Sequence, residues 1–174
     1  MTLTPVLLVV AAVNKTYVNI QYHIIRQRSY GNLEKMKNIL VLCTGNSCRS
    51  QLAEGYLRYF AEGKANIYSA GIETHGVNPK AVQVMAEDHI NISSHTSNHV
   101  DEYLAIPFDA LITVCDNANE ACPYFPGKVV RFHHNFPDPA KATGTDEEIM
   151  DEFRRVRDLI KVYSEDFVNK YITK

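Results

Sequence analysis

The sequence predicts an α/β fold, a three-layer arrangement with a four-stranded parallel sheet and helices on both faces. Three observations predict it. Short apolar runs suited to buried parallel strands alternate with stretches of helical period. The composition, 45% hydrophobic and 22% charged over 174 residues, is that of an ordinary globular chain long enough to bury a core without staples. No internal repeat, linker or low-complexity tract interrupts the alternation.

The first strong element comes late. The apolar run Val6 to Val13 is too short to span a bilayer, the lack of a basic flank before it weakens a signal-peptide reading, and a buried or edge strand there would be tightly bounded by Pro5 and Asn14. Residues Asn14 to Lys35 have no clean period. Met36 then stands directly before the first strand, which suggests a misplaced start. Residues 1–35 are expected to be an extension, either upstream sequence or a tail, and residues 36–174 a single domain.

Ile39 to Leu42 form the first strand. A helix follows from Ser50, with Leu52, Ala53, Tyr56, Leu57 and Phe60 on one side and Gly63 to end it. Asn66 to Ser69 make a short second strand. Asn78-Pro79 opens the next helix, with proline at its first position and a stripe of Val82, Met85 and Ala86. Ser97 or Asn98 is expected to cap a short helix that stops near Pro107. Ala110 to Val114 and Lys128 to Phe132 read as the third and fourth strands. In the last helix Thr145 and Glu148 make a capping box, and Ile149, Phe153, Val156, Ile160, Tyr163 and Phe167 keep one apolar face.

Eighteen basic against twenty acidic residues give a net charge of −2, which recommends neither nucleic acid nor an anionic membrane as partner. Four cysteines, Cys43, Cys48, Cys115 and Cys122, are too few for a disulfide scaffold but enough for redox chemistry.

The chemistry centres on Cys43-Thr44-Gly45-Asn46-Ser47-Cys48-Arg49-Ser50. A cysteine ends a buried strand and an arginine stands at the mouth of a helix, which is where ligands bind in an open α/β sheet. Loop amides turned inward and the helix start favour a thiolate and a tetrahedral oxyanion. Arg49 offers a planar fork to two oxyanion oxygens, and Ser50 a hydroxyl to the sulfur. Gly45 permits a tight loop, and Asn46 tolerates a left-handed conformation. Phe136-Pro137-Asp138-Pro139 holds one carboxylate between two prolines, which makes Asp138 the candidate acid for a leaving oxygen. Cys115 closes the third strand on the same side of the sheet as Cys43. Cys122 follows seven residues later across a small polar insert, and the two can pair if that segment rearranges. His133 and His134 lie downstream, but the cysteine spacing is not that of a zinc site. His75, His89, His95 and His99 read as surface or loop residues.

Residues 36–165 resemble the thioredoxin-coupled arsenate reductases built on the low-molecular-weight protein tyrosine phosphatase fold. CTGNSCRSQLAEG is shared with the wider phosphatase-like group, whereas YSAGIETHGVNPKA and the pair in CDNANEACP resemble the reductase branch, and FPDPA places the acid at Asp138. The resemblance implies reduction of arsenate to arsenite through a relay of Cys43, Cys115 and Cys122, with Thr44, Gly45, Asn46, Ser47, Cys48, Arg49 and Ser50 around the substrate. Cys48 is assigned packing or redox susceptibility, not a step. It also implies thioredoxin as electron donor, a cytoplasmic monomer with no tightly bound cofactor, and a potassium site at Asn46, Glu54, Ser69 and Asn98. Asn98 stands where the resembled reductases carry an aspartate, so one negative charge is missing. The alternative is a low-molecular-weight protein tyrosine phosphatase or a phosphatase of small phosphate esters, with water resolving the intermediate. Ala140 after the Asp-Pro pair argues against a phosphotyrosine pocket, where an aromatic residue is expected.

Overall fold

The computed structural model describes residues 35–174. The expectation for residues 1–35 falls, but for Lys35, outside them. Strand β1 (Lys37–Cys43) is central in a sheet ordered β2-β1-β3-β4, with β2 (Ala65–Gly71), β3 (Ala110–Thr113) and β4 (Val130–His133). All pairings are parallel. Helices cover both faces, which is why Ile39, Leu40, Val41 and Leu42 are all fully buried with no alternation. The register sets Leu42 against Thr113, so β1 and β3 end side by side, about 4.8 Å apart in the pairing direction.

Helix α1 (Arg49–Ala61) follows β1 through the cysteine loop. It buries Leu52, Ala53, Tyr56 and Leu57, and leaves through Glu62 and Gly63, both left-handed. Helix α2 (Pro79–Glu87) starts as expected: the Asn78 side chain accepts from Lys80 N–H, 2.9 Å away. Its buried stripe is Ala81, Val84 and Met85; Val82 is half-buried and Ala86 exposed. Neither Ser97 nor Asn98 caps the next element. His99 caps a 3₁₀ turn, Val100–Tyr103, because its ring accepts from Asp101 N–H while Glu102 accepts from His99 N–H at 2.8 Å. The Asn98 side chain is instead engaged by Thr96 and Glu102.

Helix α3 (Asp116–Glu120) has only five residues. Strand β4 lies slightly later than expected, and as an edge strand leaves Val130 and Arg131 exposed. Helix α4 (Asp146–Phe167) carries the expected Thr145–Glu148 capping box. It buries Met150, Phe153, Val156, Ile160, Ser164 and Phe167, with Ile149 and Tyr163 on the border of that face. Burying each large apolar side chain contributes about 1.5–3 kcal/mol, and this face packs against α1 and α2.

Candidate active site

The sheet order places the site. Cys43 ends β1, and Cys115 lies two residues beyond the end of the adjacent β3, so both thiols arrive at one edge. They line one cleft of about 800 Å³ with Thr44, Gly45, Arg49 and Asp138. The Thr44 hydroxyl lies 3.3 Å from Cys115 Sγ and bridges the two strand ends.

The loop wraps around Cys43. Asn46 N–H donates to its sulfur at 3.1 Å and Ser50 Oγ lies 2.9 Å away. Asn46 holds a left-handed conformation (φ 44°), which turns its amide inward. Its side chain donates to Ser50 Oγ and Ser69 Oγ and accepts from Asn98 N–H. Buried Gln51 donates to the Asn46 carbonyl at 3.0 Å and the Thr96 carbonyl at 2.9 Å, tying the loop from beneath. Gly71 is required where β2 meets the loop: a Cβ there would sit 2.7 Å from the Thr44 carbonyl oxygen and 2.8 Å from Asn46 N. Thr44, Gly45, Ser47, Cys48 and Arg49 face the cleft, whereas Asn46 and Ser50 sit behind it as supports.

Arg49 donates to Asp138 Oδ2 at 2.9 Å and to the Phe136 carbonyl at 3.2 Å. Asp138 also accepts from Ala140 N–H, capping a 3₁₀ turn at Pro139–Lys141. The expected anion fork and the expected acid are thus paired with each other. An oxyanion that engages Arg49 must compete with the Asp138 carboxylate.

Burial is the largest influence on Cys43 and raises its thiol above the ordinary range. Hydrogen bonds from the Ser50 side chain and backbone pull it down, nearby Cys115 raises it, and Asn46 N–H lowers it. The thiolate expected from the loop alone is therefore opposed by a sulfur that is 3% exposed. Cys48 is pushed up to about 12, first by burial and then by Asp138, with Ser47 lowering it.

Cys122 is not among the cleft's lining residues. It lies beyond α3, half-buried, with its sulfur near Arg131. His133 joins Thr113 (2.8 Å) and Asp116 (3.1 Å), fastening the start of α3 to β4.

The residues expected to hold potassium do meet, but as a closed hydrogen-bond network. Ser69 donates to Glu54 Oε2 at 2.6 Å, and Arg58 pairs with Glu54 Oε1 at 2.6 Å. Asn46 Oδ1 is taken by Asn98 N–H, so Asn98 contributes its backbone where a side-chain oxygen was expected. With the carboxylate matched by Arg58 and Asn46 turning its amino group to Ser69, this set does not fit a cation cage.

Several contributors were missed in the sequence. His95 lies in a loop, as expected, but is half-buried and supports the site: its ring nitrogen lies 3.0 Å from Gln51 Oε1, and burial lowers its pKa. Exposed His75 still lines the cleft, against Gly45. The Phe136 carbonyl, Gln51 and Arg131 carry no local pattern that marks them. Among the described residues no helix is long and apolar enough to cross a membrane.

Residues 38–174 match the family described as low molecular weight phosphotyrosine protein phosphatase. An arsenate reductase of Halalkalibacterium halodurans is 52% identical over 124 residues, covering 71% of this chain and 89% of that protein. One of Staphylococcus xylosus is 47% identical over 131 residues, covering 75% and 95%. A solved arsenate reductase in an oxidized state superposes with a TM-score of 0.68 at 29% identity, covering 78% of this chain and 98% of that one. Another, in a phosphate-binding state, gives 0.64 at 30% identity, covering 79% and 100%. The chain therefore belongs to the low molecular weight phosphotyrosine protein phosphatase family, within which it is similar to arsenate reductases.

Proposed function

We propose that the protein reduces arsenate to arsenite by a three-thiol relay and is recharged by thioredoxin. The observation that carries this reading is a second thiol, Cys115, opening onto the Cys43 cleft from the next strand, with a third seven residues on. A phosphatase that resolves its intermediate with water has no use for that pair.

The oxyanion sits on the loop amides and takes Arg49 from Asp138. Cys43 Sγ attacks arsenic(V); an S–As bond forms, an As–O bond breaks, and the hydroxyl leaves as water with a proton from Asp138. Cys115, as thiolate, attacks Cys43 Sγ. The S–S bond forms, the S–As bond breaks, and its electron pair stays on arsenic, which leaves as arsenite. Cys122 then attacks Cys115, expelling Cys43 as thiolate. The resulting Cys115–Cys122 disulfide is reduced by the dithiol of thioredoxin. The balance is one arsenate and one dithiol to one arsenite, one disulfide and water.

The test is NADPH consumption with thioredoxin and thioredoxin reductase, with and without arsenate. An arsenate-dependent rate is expected. Its absence, with hydrolysis of a small phosphate ester retained, favours the phosphatase reading.

A further inference from the structure

Cys122 has a cationic neighbour. Arg131, on edge strand β4, places Nη1 3.2 Å from Cys122 Sγ and Nη2 3.2 Å from the Pro123 carbonyl oxygen. The thiol itself faces that carbonyl at 3.5 Å. A guanidinium is a rigid fork, so a second nitrogen fixed on a backbone acceptor holds the first against the sulfur. Among the described residues no carboxylate pairs with Arg131. Its partners are the Cys122 sulfur and the neutral Pro123 carbonyl.

We propose that Arg131 is a catalytic residue of the relay, stabilising the thiolate form of Cys122 as it attacks the Cys43–Cys115 disulfide. This rests on the three-thiol reading. In the step, the Cys115–Cys122 bond forms as the Cys43–Cys115 bond breaks. The electron pair leaves on Cys43, which takes up the proton that Cys122 gave to solvent. One disulfide replaces another, with no outside oxidant or reductant.

The environment of Cys122 supports such a need. Burial raises its thiol, and the charge and hydrogen bond of Arg131 are what oppose that rise. A stabilised thiolate is less nucleophilic, but only with a Brønsted slope of about 0.4–0.5, so the gain in thiolate fraction outweighs the loss. The contact also discriminates among the three relay cysteines: Cys43 lies against the Ser50 hydroxyl and accepts from Asn46 N–H, Cys115 lies against the Thr44 hydroxyl, and Cys122 has the guanidinium.

The experiment reads Cys122 directly. Full-length wild type and Arg131→Gln are alkylated with iodoacetamide from pH 6 to 10, and the rate at each cysteine is read by peptide mass spectrometry. Arg131→Gln is expected to move the Cys122 profile to higher pH and slow its alkylation at pH 7 by about threefold or more, with Cys43 unmoved. Arg131→Lys, which keeps charge but loses the fork, should restore most of the rate. Arg131 is exposed on an edge strand, so folding should tolerate both changes. A second readout follows one turnover with arsenate: transfer of the disulfide from Cys43–Cys115 to Cys115–Cys122 should slow in Arg131→Gln, while formation of the first should not. An unmoved Cys122 profile overturns the proposal alone. A wild type that never forms the Cys43–Cys115 disulfide overturns the reading beneath it.

Discussion

Replacing Ser50 with alanine tests how the loop charges its nucleophile. Ser50 is fully buried, its hydroxyl 2.9 Å from Cys43 Sγ, and it also accepts from Asn46 Nδ2 at 2.9 Å. Burial already raises Cys43, and the Ser50 side chain is the first of the influences opposing it. Removing the hydroxyl moves the thiol further up. A hydrogen bond to an ionised group contributes about 1.5–3 kcal/mol, so the Cys43 step should slow by about ten- to a hundredfold at neutral pH. Asn46 Nδ2 keeps Ser69 as acceptor, so the fold should lose only about 1 kcal/mol. The assays are kcat/KM with arsenate, Cys43 alkylation against pH, and thermal unfolding. The activity should recover partly at higher pH, since the lost interaction favoured the deprotonated form. A kcat/KM within about twofold of wild type, with an unmoved alkylation profile, would refute the reasoning.

Other perturbations separate the remaining roles. Cys115→Ser should trap an adduct on Cys43 and abolish arsenate turnover while leaving any phosphatase activity largely intact; steady turnover by this variant sinks the relay. Arg49→Lys loses the fork that reaches both Phe136 and Asp138, and kcat/KM should drop roughly a hundredfold. Phe153→Ala, at a buried position on α4, should cost about 3–5 kcal/mol in denaturant unfolding. Asp88 is raised by burial, but hydrogen bonds from Lys161 and Tyr56 and the charges of Lys161 and Arg157 hold it below the usual carboxylate range. Its contribution is present above the unfolded value near pH 3.9 and is lost as pH falls through the lower folded value. Lys161→Met should therefore cost about 1 kcal/mol at pH 7 and nothing once Asp88 is protonated.

The order of elements was legible because each carries a local signal. The unbroken Ile39–Leu42 run marks a strand covered on both faces, Asn78-Pro79 marks a helix start, and Thr145 with Glu148 marks another. The cysteine loop was legible for the same reason, since strand, loop and helix are contiguous. The cap at His99 was missed because histidine seldom caps and Asn98, one residue earlier, is the usual type. The Arg49–Asp138 pair is separated by 89 residues, and only the sheet order brings its partners together. The carboxylate of the expected potassium set is engaged by a residue that no motif includes. Arg58 lies one helical turn beyond Glu54 and takes its carboxylate. Gln51 and Arg131 act across elements, so neither could be found before the fold was known.

The short span between Cys115 and Cys122 has a kinetic consequence. Helix α3 is five residues long and buries only Ala118, so releasing it from the body gives up little apolar packing beyond the His133–Asp116 tie. A thiol on so short a tether meets its target at an effective concentration on the order of millimolar or more. Small thiols in the surrounding solution must outrun that encounter to intercept the Cys43–Cys115 bond. The tether thus acts as a kinetic filter. On the three-thiol reading, it favours Cys122 over the ambient thiol pool at that bond.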